Sequence, residues 1–291
     1  MSDLIISLST IPPRFPHIGQ TLADLLALDA DIAEIRLNIP KHYRRFPDVS
    51  AETLSGVPKG VRVVRVEEDL GPATKILPTV AELRGQDVEI LYCDDDQHYD
   101  RPWARRFLKA RAEQPDACIV ERGYDFETRP KGSEYYIERQ WFPRAKRRQK
   151  GLAYRAWRAA TLCRKKLPVY TESGYVDVAE GFRGVMIRPG FIPDAAFDIP
   201  DILWTVDDPW LSGHMTRIGV PIWLFADAPH DRLPYEAHNH HRLGTYVYKD
   251  HGRLAADTRC IEYFRTTYGI WQDRKAGQRQ PETAGYPDRA A

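Results

Sequence analysis

Val88-Glu89-Ile90-Leu91-Tyr92-Cys93-Asp94-Asp95-Asp96 is an apolar run that stops at three consecutive carboxylates. A short apolar stretch of this length reads as a buried strand. In an open α/β sheet, ligands bind beyond the carboxyl ends of strands, where the strand order reverses. Three adjacent anions repel one another unless they are solvated or neutralised by a cation. Hard carboxylate oxygens suit Mg²⁺ or Mn²⁺, which keep coordination positions open for phosphate oxygens. The plainer alternative is a solvated acidic turn leading to a helix near Pro102. The position of the run, directly after an apolar strand, favours the cation.

Outward from this segment, strand-like and helix-like stretches alternate, as in an α/β sheet with helices on its faces. Leu4 to Leu8 reads as a buried first strand, and Ile18, Leu22, Leu25 and Leu26 recur at helical spacing. Ile35 to Ile39 and Val61 to Val66 read as strands, with a helix through Ile76, Val80 and Leu83. Beyond the acidic run, Pro102 opens a helix through Trp103, Phe107 and Leu108, since proline suits a first helical position. Strands are expected at Ala117 to Val120, Gly184 to Ile187 and Ile222 to Phe225. A helix is expected through Leu211, Met215 and Ile218. Between about 122 and 175 the period is poor and aromatic and basic residues cluster, so an irregular insertion is expected, with one helix near Ala153 to Cys163. The polar tail over 272–291 reads as disordered.

The 291 residues carry a formal charge of +1, which supplies no global attraction to nucleic acid, and nucleic acid is not expected as a partner. Cys93, Cys118, Cys163 and Cys260 lie far apart without C-x-x-C spacing, so neither a zinc site nor a disulfide framework is indicated. The first residues, Met1-Ser2-Asp3, lack a basic region before Leu4, and no apolar stretch is long enough to span a membrane. The expected location is cytoplasmic, on the inner face of a membrane if the chain is peripheral.

Three stretches of the first half together resemble the nucleotide-binding half of bacterial GT-A type glycosyltransferases, family-2-like and D-x-D containing. They are Leu4-Ile5-Ile6-Ser7-Leu8-Ser9-Thr10-Ile11-Pro12-Pro13-Arg14, Glu68-Asp69-Leu70-Gly71-Pro72-Ala73-Thr74-Lys75 and Tyr92-Cys93-Asp94-Asp95-Asp96. Glu180-Gly181-Phe182-Arg183-Gly184-Val185 and Asp207-Asp208-Pro209-Trp210-Leu211-Ser212-Gly213 are similar to acceptor-side segments of the same enzymes. The resemblance runs from about residue 4 to 230. It implies a GT-A (Rossmann-like), mostly parallel mixed sheet in one catalytic domain over 1–271. Residues 1–100 would form the nucleotide half, and 101–271 the acceptor half with the basic insertion.

The resemblance further implies a nucleotide diphosphate sugar donor, usually a UDP-sugar, bound with Mn²⁺ or Mg²⁺. Asp94 would face ribose or metal, Asp96 would ligate the metal, and Asp95 can take either role. Thr10 could donate to base or ribose and Arg14 could meet a phosphate. Asp69 belongs to the expected donor site. Lys75, at a tight turn into a helix, could reach the diphosphate or the base. Gly181 permits close backbone approach to the sugar, and Glu180 could bond a sugar hydroxyl. Each also has a plain structural reading as turn, cap or surface residue.

An inverting transferase needs a carboxylate that accepts the proton of the attacking hydroxyl. Asp208 is the candidate, with Asp207 beside it, although an aspartate before Pro209 also suits a helix cap. The resemblance also implies a third metal ligand from a histidine after the strand that follows the acceptor helix, a place that His230 fits, with His238 and His240 behind it. Arg144 to Lys166 is rich in Arg and Lys, contains no Asp or Glu, and interleaves Tyr154 and Trp157. Such a segment suits an anionic membrane surface or an acidic glycan acceptor. Two rival readings remain. One is a nucleotidyltransferase that makes a nucleotide-sugar and releases pyrophosphate. The other is a non-catalytic basic module that binds glycan or membrane.

Overall fold

The computed structural model describes residues 3–126, 140–149, 151–162, 167–226, 235, 241 and 243–272. The first four strands are β1 (Asp3–Ser9), β2 (Glu34–Pro40), β3 (Val61–Val66) and β4 (Val88–Tyr92). They are followed by β5 (Cys118–Val120), β6 (Gly123–Tyr124), β7 (Lys146–Arg147) and β8 (Tyr170–Glu172). The last four are β9 (Gly174–Tyr175), β10 (Val178–Ala179), β11 (Val185–Ile187) and β12 (Ile222–Leu224). The helices are α1 (Ile18–Leu26), α2 (Leu77–Leu83), α3 (Trp103–Glu113), α4 (Leu152–Ala160), α5 (Asp208–Arg217) and α6 (Arg253–Tyr268).

Eight strands form one sheet in the order β3-β2-β1-β4-β11-β5-β12-β9. β1 to β4 are mutually parallel, and β11 and β9 run against the rest. This is a mixed, mostly parallel α/β sheet, with helices on its faces, as the alternation of strand-like and helix-like stretches leads one to expect. Two short antiparallel pairs, β10 with β6 and β7 with β8, lie outside it.

Strand alternation sends β1 into both faces of the core. Leu4, Ile6 and Leu8 pack with Leu22 and Leu25 of α1 and with Trp103 and Phe107 of α3. Ile5 and Ile90 pack on the other face with Val80 of α2, Leu211 of α5 and Phe264 of α6. That two-sided burial explains why the parallel strands read as unbroken apolar runs.

Boundaries shift slightly from expectation. Pro102 caps α3 rather than opening it, and β5, β11 and β12 are each one residue shorter. Two larger differences come from elements with weak periods. The stretch read as an insertion supplies β9, an edge strand of the main sheet, and two residues are too short to show alternation. The α6 helix is a further element beyond those expected, although Ala256, Cys260, Ile261 and Phe264 are its buried apolar residues at helical spacing. Cys163, Arg164-Lys165-Lys166 and the tail beyond 272 lie outside the described residues. Among the described residues no helix is long and apolar enough to cross a membrane.

Candidate active site

The chain leaves β1 toward β2 and β3 on one side, then returns to place β4 on the other. The order therefore reverses between β1 and β4, and the loops leaving these two strands open one crevice. Thr10 and Arg14 follow β1; Asp94, Asp95 and Asp96 follow β4.

The three aspartates do different things. Asp95 is buried at the cavity wall and held from two sides: Thr10 Oγ1 donates to it, and Arg14 Nη1 lies 2.5 Å from its Oδ1. Thr21 Oγ1 donates to its carbonyl at 2.7 Å. Burial pushes the Asp95 carboxyl up to about 6 against the pull of Arg14. Asp96 accepts from Gln97 Nε2 at 2.8 Å, with Arg14 Nη2 at 3.2 Å. Asp94 is the most exposed of the run, with 33% of its side chain accessible. Thr10 and Arg14, expected against a nucleotide, thus hold the acidic run in place. Two buried carboxylates without such partners would be costly.

Lys75, buried at the end of the 3₁₀ turn Gly71–Lys75, joins this run to the downstream pair. Its Nζ lies 2.6 Å from Asp94 Oδ1 and 2.8 Å from Asp207 Oδ2. Burial alone would lower the Lys75 pKa, but Asp207, Asp94 and Asp208 outweigh it and hold the ammonium charged. Asp207 is the N-cap residue of α5, yet its side chain makes no capping bond, so the cap does not explain it. Burial would raise its carboxyl; Lys75 and Arg253 reverse that and hold it at about 2. Asp208 is driven the opposite way, well above the ordinary carboxylate range, by burial and by the Asp207 charge. The Gly181 amide donates to Asp208 Oδ1 at 3.0 Å. A Cβ at Gly181 would fall 2.6 Å from Lys75 Nζ, so this glycine supplies room.

Thr10, Arg14, Lys75, Asp94 to Asp96, Asp207 and Asp208 line a cavity of about 460 Å³ that also includes Tyr43, Phe46, Trp204 and Arg253. Its wall carries six carboxylates against four Arg and Lys side chains, a surplus of negative charge. Asp69 contributes both carboxylate oxygens to backbone amides, of Arg44 at 2.8 Å and Gly71 at 2.9 Å, and so shapes the wall. Glu180 is half-buried beside Gly181 and is not among the described lining residues. His230, His238 and His240 lie outside the described residues. Arg253, unnoticed in sequence, sits 3.5 Å from Asp207, 3.4 Å from Asp208 and 3.2 Å from Asp257. Its signal was absent because a first-turn arginine carries no period.

Asp94 and Asp96 both face the cavity, and two hard carboxylates beside open space fit a Mg²⁺-type ion completed by water and phosphate. Among the described residues no cluster of three or more His, Cys, Asp or Glu forms a ready-made cage. Such an ion would compete with Lys75 and Arg14 for these oxygens.

No family model matches the chain, and no curated protein matches it by sequence. Among solved structures, the chain is similar to the crystal structure of S. aureus TarS 1-349, with 12% identity and a TM-score of 0.42. The match covers 79% of this chain and 59% of that one, so it spans less than two thirds of the TarS chain.

Proposed function

We propose that this protein is a metal-dependent glycosyltransferase that moves a sugar from a nucleotide diphosphate sugar, a UDP-sugar first among candidates, to an acceptor hydroxyl. The acceptor class is a glycan or lipid-linked glycan of cell-surface polysaccharide synthesis. One observation carries the reading. Two acidic elements more than a hundred residues apart, Asp94 to Asp96 and Asp207-Asp208, meet in one cavity at a switch point, bridged by Lys75.

Asp94 and Asp96 would hold Mg²⁺ or Mn²⁺, which supplies charge neutralisation for a departing diphosphate. Tyr43, Phe46 and Trp204 add aromatic rings to the cavity wall, against which a nucleobase would pack. Asp208 is the general base. Burial and the like charge of Asp207 raise the proton affinity of Asp208, so it acts as base in its deprotonated form, while Asp207 stays ionised on Lys75. The Gly181 amide fixes one Asp208 oxygen and leaves the other toward Arg253. Direct displacement with inversion follows from a base that acts on the acceptor rather than attacking the sugar.

The test is a thermal-shift panel of nucleoside diphosphates and nucleotide-sugars, with and without Mn²⁺, on wild type, Asp96→Ala and Asp208→Asn. Wild type is expected to be stabilised by a donor only with metal, Asp96→Ala to lose that gain, and Asp208→Asn to keep it. Turnover by Asp208→Asn should fall by about 10²-fold or more. Undiminished turnover would remove Asp208 from this role, and release of pyrophosphate instead of nucleoside diphosphate would mark a nucleotidyltransferase.

A further inference from the structure

The basic stretch contributes little to the cavity, and the structure divides it into a root and a tip. At the root, Arg144 turns inward with 11% of its side chain accessible, bonded to Asp125 and lying 2.6 Å from Asp177, so its charge is spent inside the fold. Lys146 and Arg147 pair in β7 with β8, and Lys146 Nζ lies 2.8 Å from Glu172. Arg148 closes the root by bonds from its amide to the Val169 carbonyl at 2.7 Å and from Nε to the Pro168 carbonyl at 2.8 Å. The tip carries α4.

None of the described residues of α4 is buried. Leu152 is 83% exposed and Leu162, just past the helix, is 74% exposed. Leu152, Ala156 and Ala160, four residues apart, form one exposed stripe. Trp157 lies beside it, stacked against Tyr154. Arg155 and Arg158, three residues apart, lie on the other side of the helix. A helix of nine residues is shorter than the ~12–15 that are marginal in water without packing. An uncovered apolar stripe beside a cationic one is therefore a surface awaiting a partner. Apart from Arg144 and Lys146, which have acidic partners elsewhere in the fold, the stretch from 144 to 166 carries eight Arg and Lys and no Asp or Glu, although the whole chain is nearly neutral, so the partner is anionic.

We propose that α4 seats in the interface of an anionic lipid bilayer. Leu152, Trp157 and Leu162 reach the acyl boundary, and Arg155, Arg158 and neighbouring cations meet the headgroups. The apolar stripe favours lipid over an acidic polymer, which would engage the cations and leave Leu152 in water. The proposal does not rest on the transferase reading.

The experiment uses the full chain in co-sedimentation with vesicles of phosphatidylcholine alone or enriched in phosphatidylglycerol, and with soluble dextran sulfate as competitor. Wild type should bind the phosphatidylglycerol vesicles alone, and less as salt rises. Arg155→Gln/Arg158→Gln should weaken binding by about fivefold per charge removed. Leu152→Asp/Trp157→Ser should also weaken it, with the thermal transition unchanged in both, since these side chains are at most half-buried. Three results would each overturn the proposal: no wild-type binding at low salt, binding unaffected by either pair, or binding to dextran sulfate without binding to vesicles.

Discussion

Lys75 shows how much of the site depends on one atom. Its Nζ sits between Asp94 and Asp207, two residues that sequence places in different halves. Replacing it with methionine would strand the buried Asp207 carboxylate, and breaking a buried pair in this way costs roughly 3–5 kcal/mol. Urea unfolding of Lys75→Met should show that loss; a change below about 1 kcal/mol would mean that Arg253 alone holds Asp207. Asp207 in turn sets its neighbour. Removing its charge in Asp207→Asn lowers the proton affinity of Asp208, so the acid limb of kcat/KM should move to lower pH. An unmoved limb would indicate that another group sets it. At this scale the sequence was informative about residue type and less so about partner. Lys75, Thr10 and Arg14 were expected against a ligand; in the fold they line the cavity and also bind the aspartates.

Among the elements, α5 carries both the candidate base and a buried histidine with no obvious purpose in the site. His214 is fully buried between Trp210, Phe264 and Tyr268, and neither ring nitrogen has a hydrogen-bond partner. Burial, and after it the charge of Arg217, lower its pKa to about 3. The folded ring is thus neutral, whereas the unfolded ring takes a proton near 6.5. Its contribution is full above that value and is lost as pH falls toward 3, at up to about 1.4 kcal/mol per pH unit. His214→Leu should remove this slope, so its stability relative to wild type should grow as pH drops from 6.5. Parallel urea-derived stabilities across that range would refute the assignment. Leu211 and Met215 made α5 legible in sequence by their helical spacing, although the helix is buried on every face from Pro209 to Thr216, against β10 as well as α6.

For the whole molecule, the two apolar clusters lie on opposite faces of one sheet, and β4, β11 and β5 are hydrogen-bonded neighbours across its middle. Separating the halves would break those ladders and expose both faces, so unfolding should be one transition. Urea curves by far-UV circular dichroism and by tryptophan fluorescence should coincide; a biphasic curve would reveal two independent units. The sequence by itself determined the α/β class, the first four strands and the acidic run at a strand end. Those features follow from local spacing and β-branched runs, which report which face of an element is apolar. Only the tertiary structure decided that all three aspartates border one cavity, that Thr10 and Arg14 lock Asp95, that Lys75 joins the run to Asp207, and that Arg253 meets Asp207 and Asp208. It also turned Arg144 inward and left α4 outward. These outcomes depend on contacts between residues tens to hundreds of positions apart, and a local period carries no record of which partner the fold will bring.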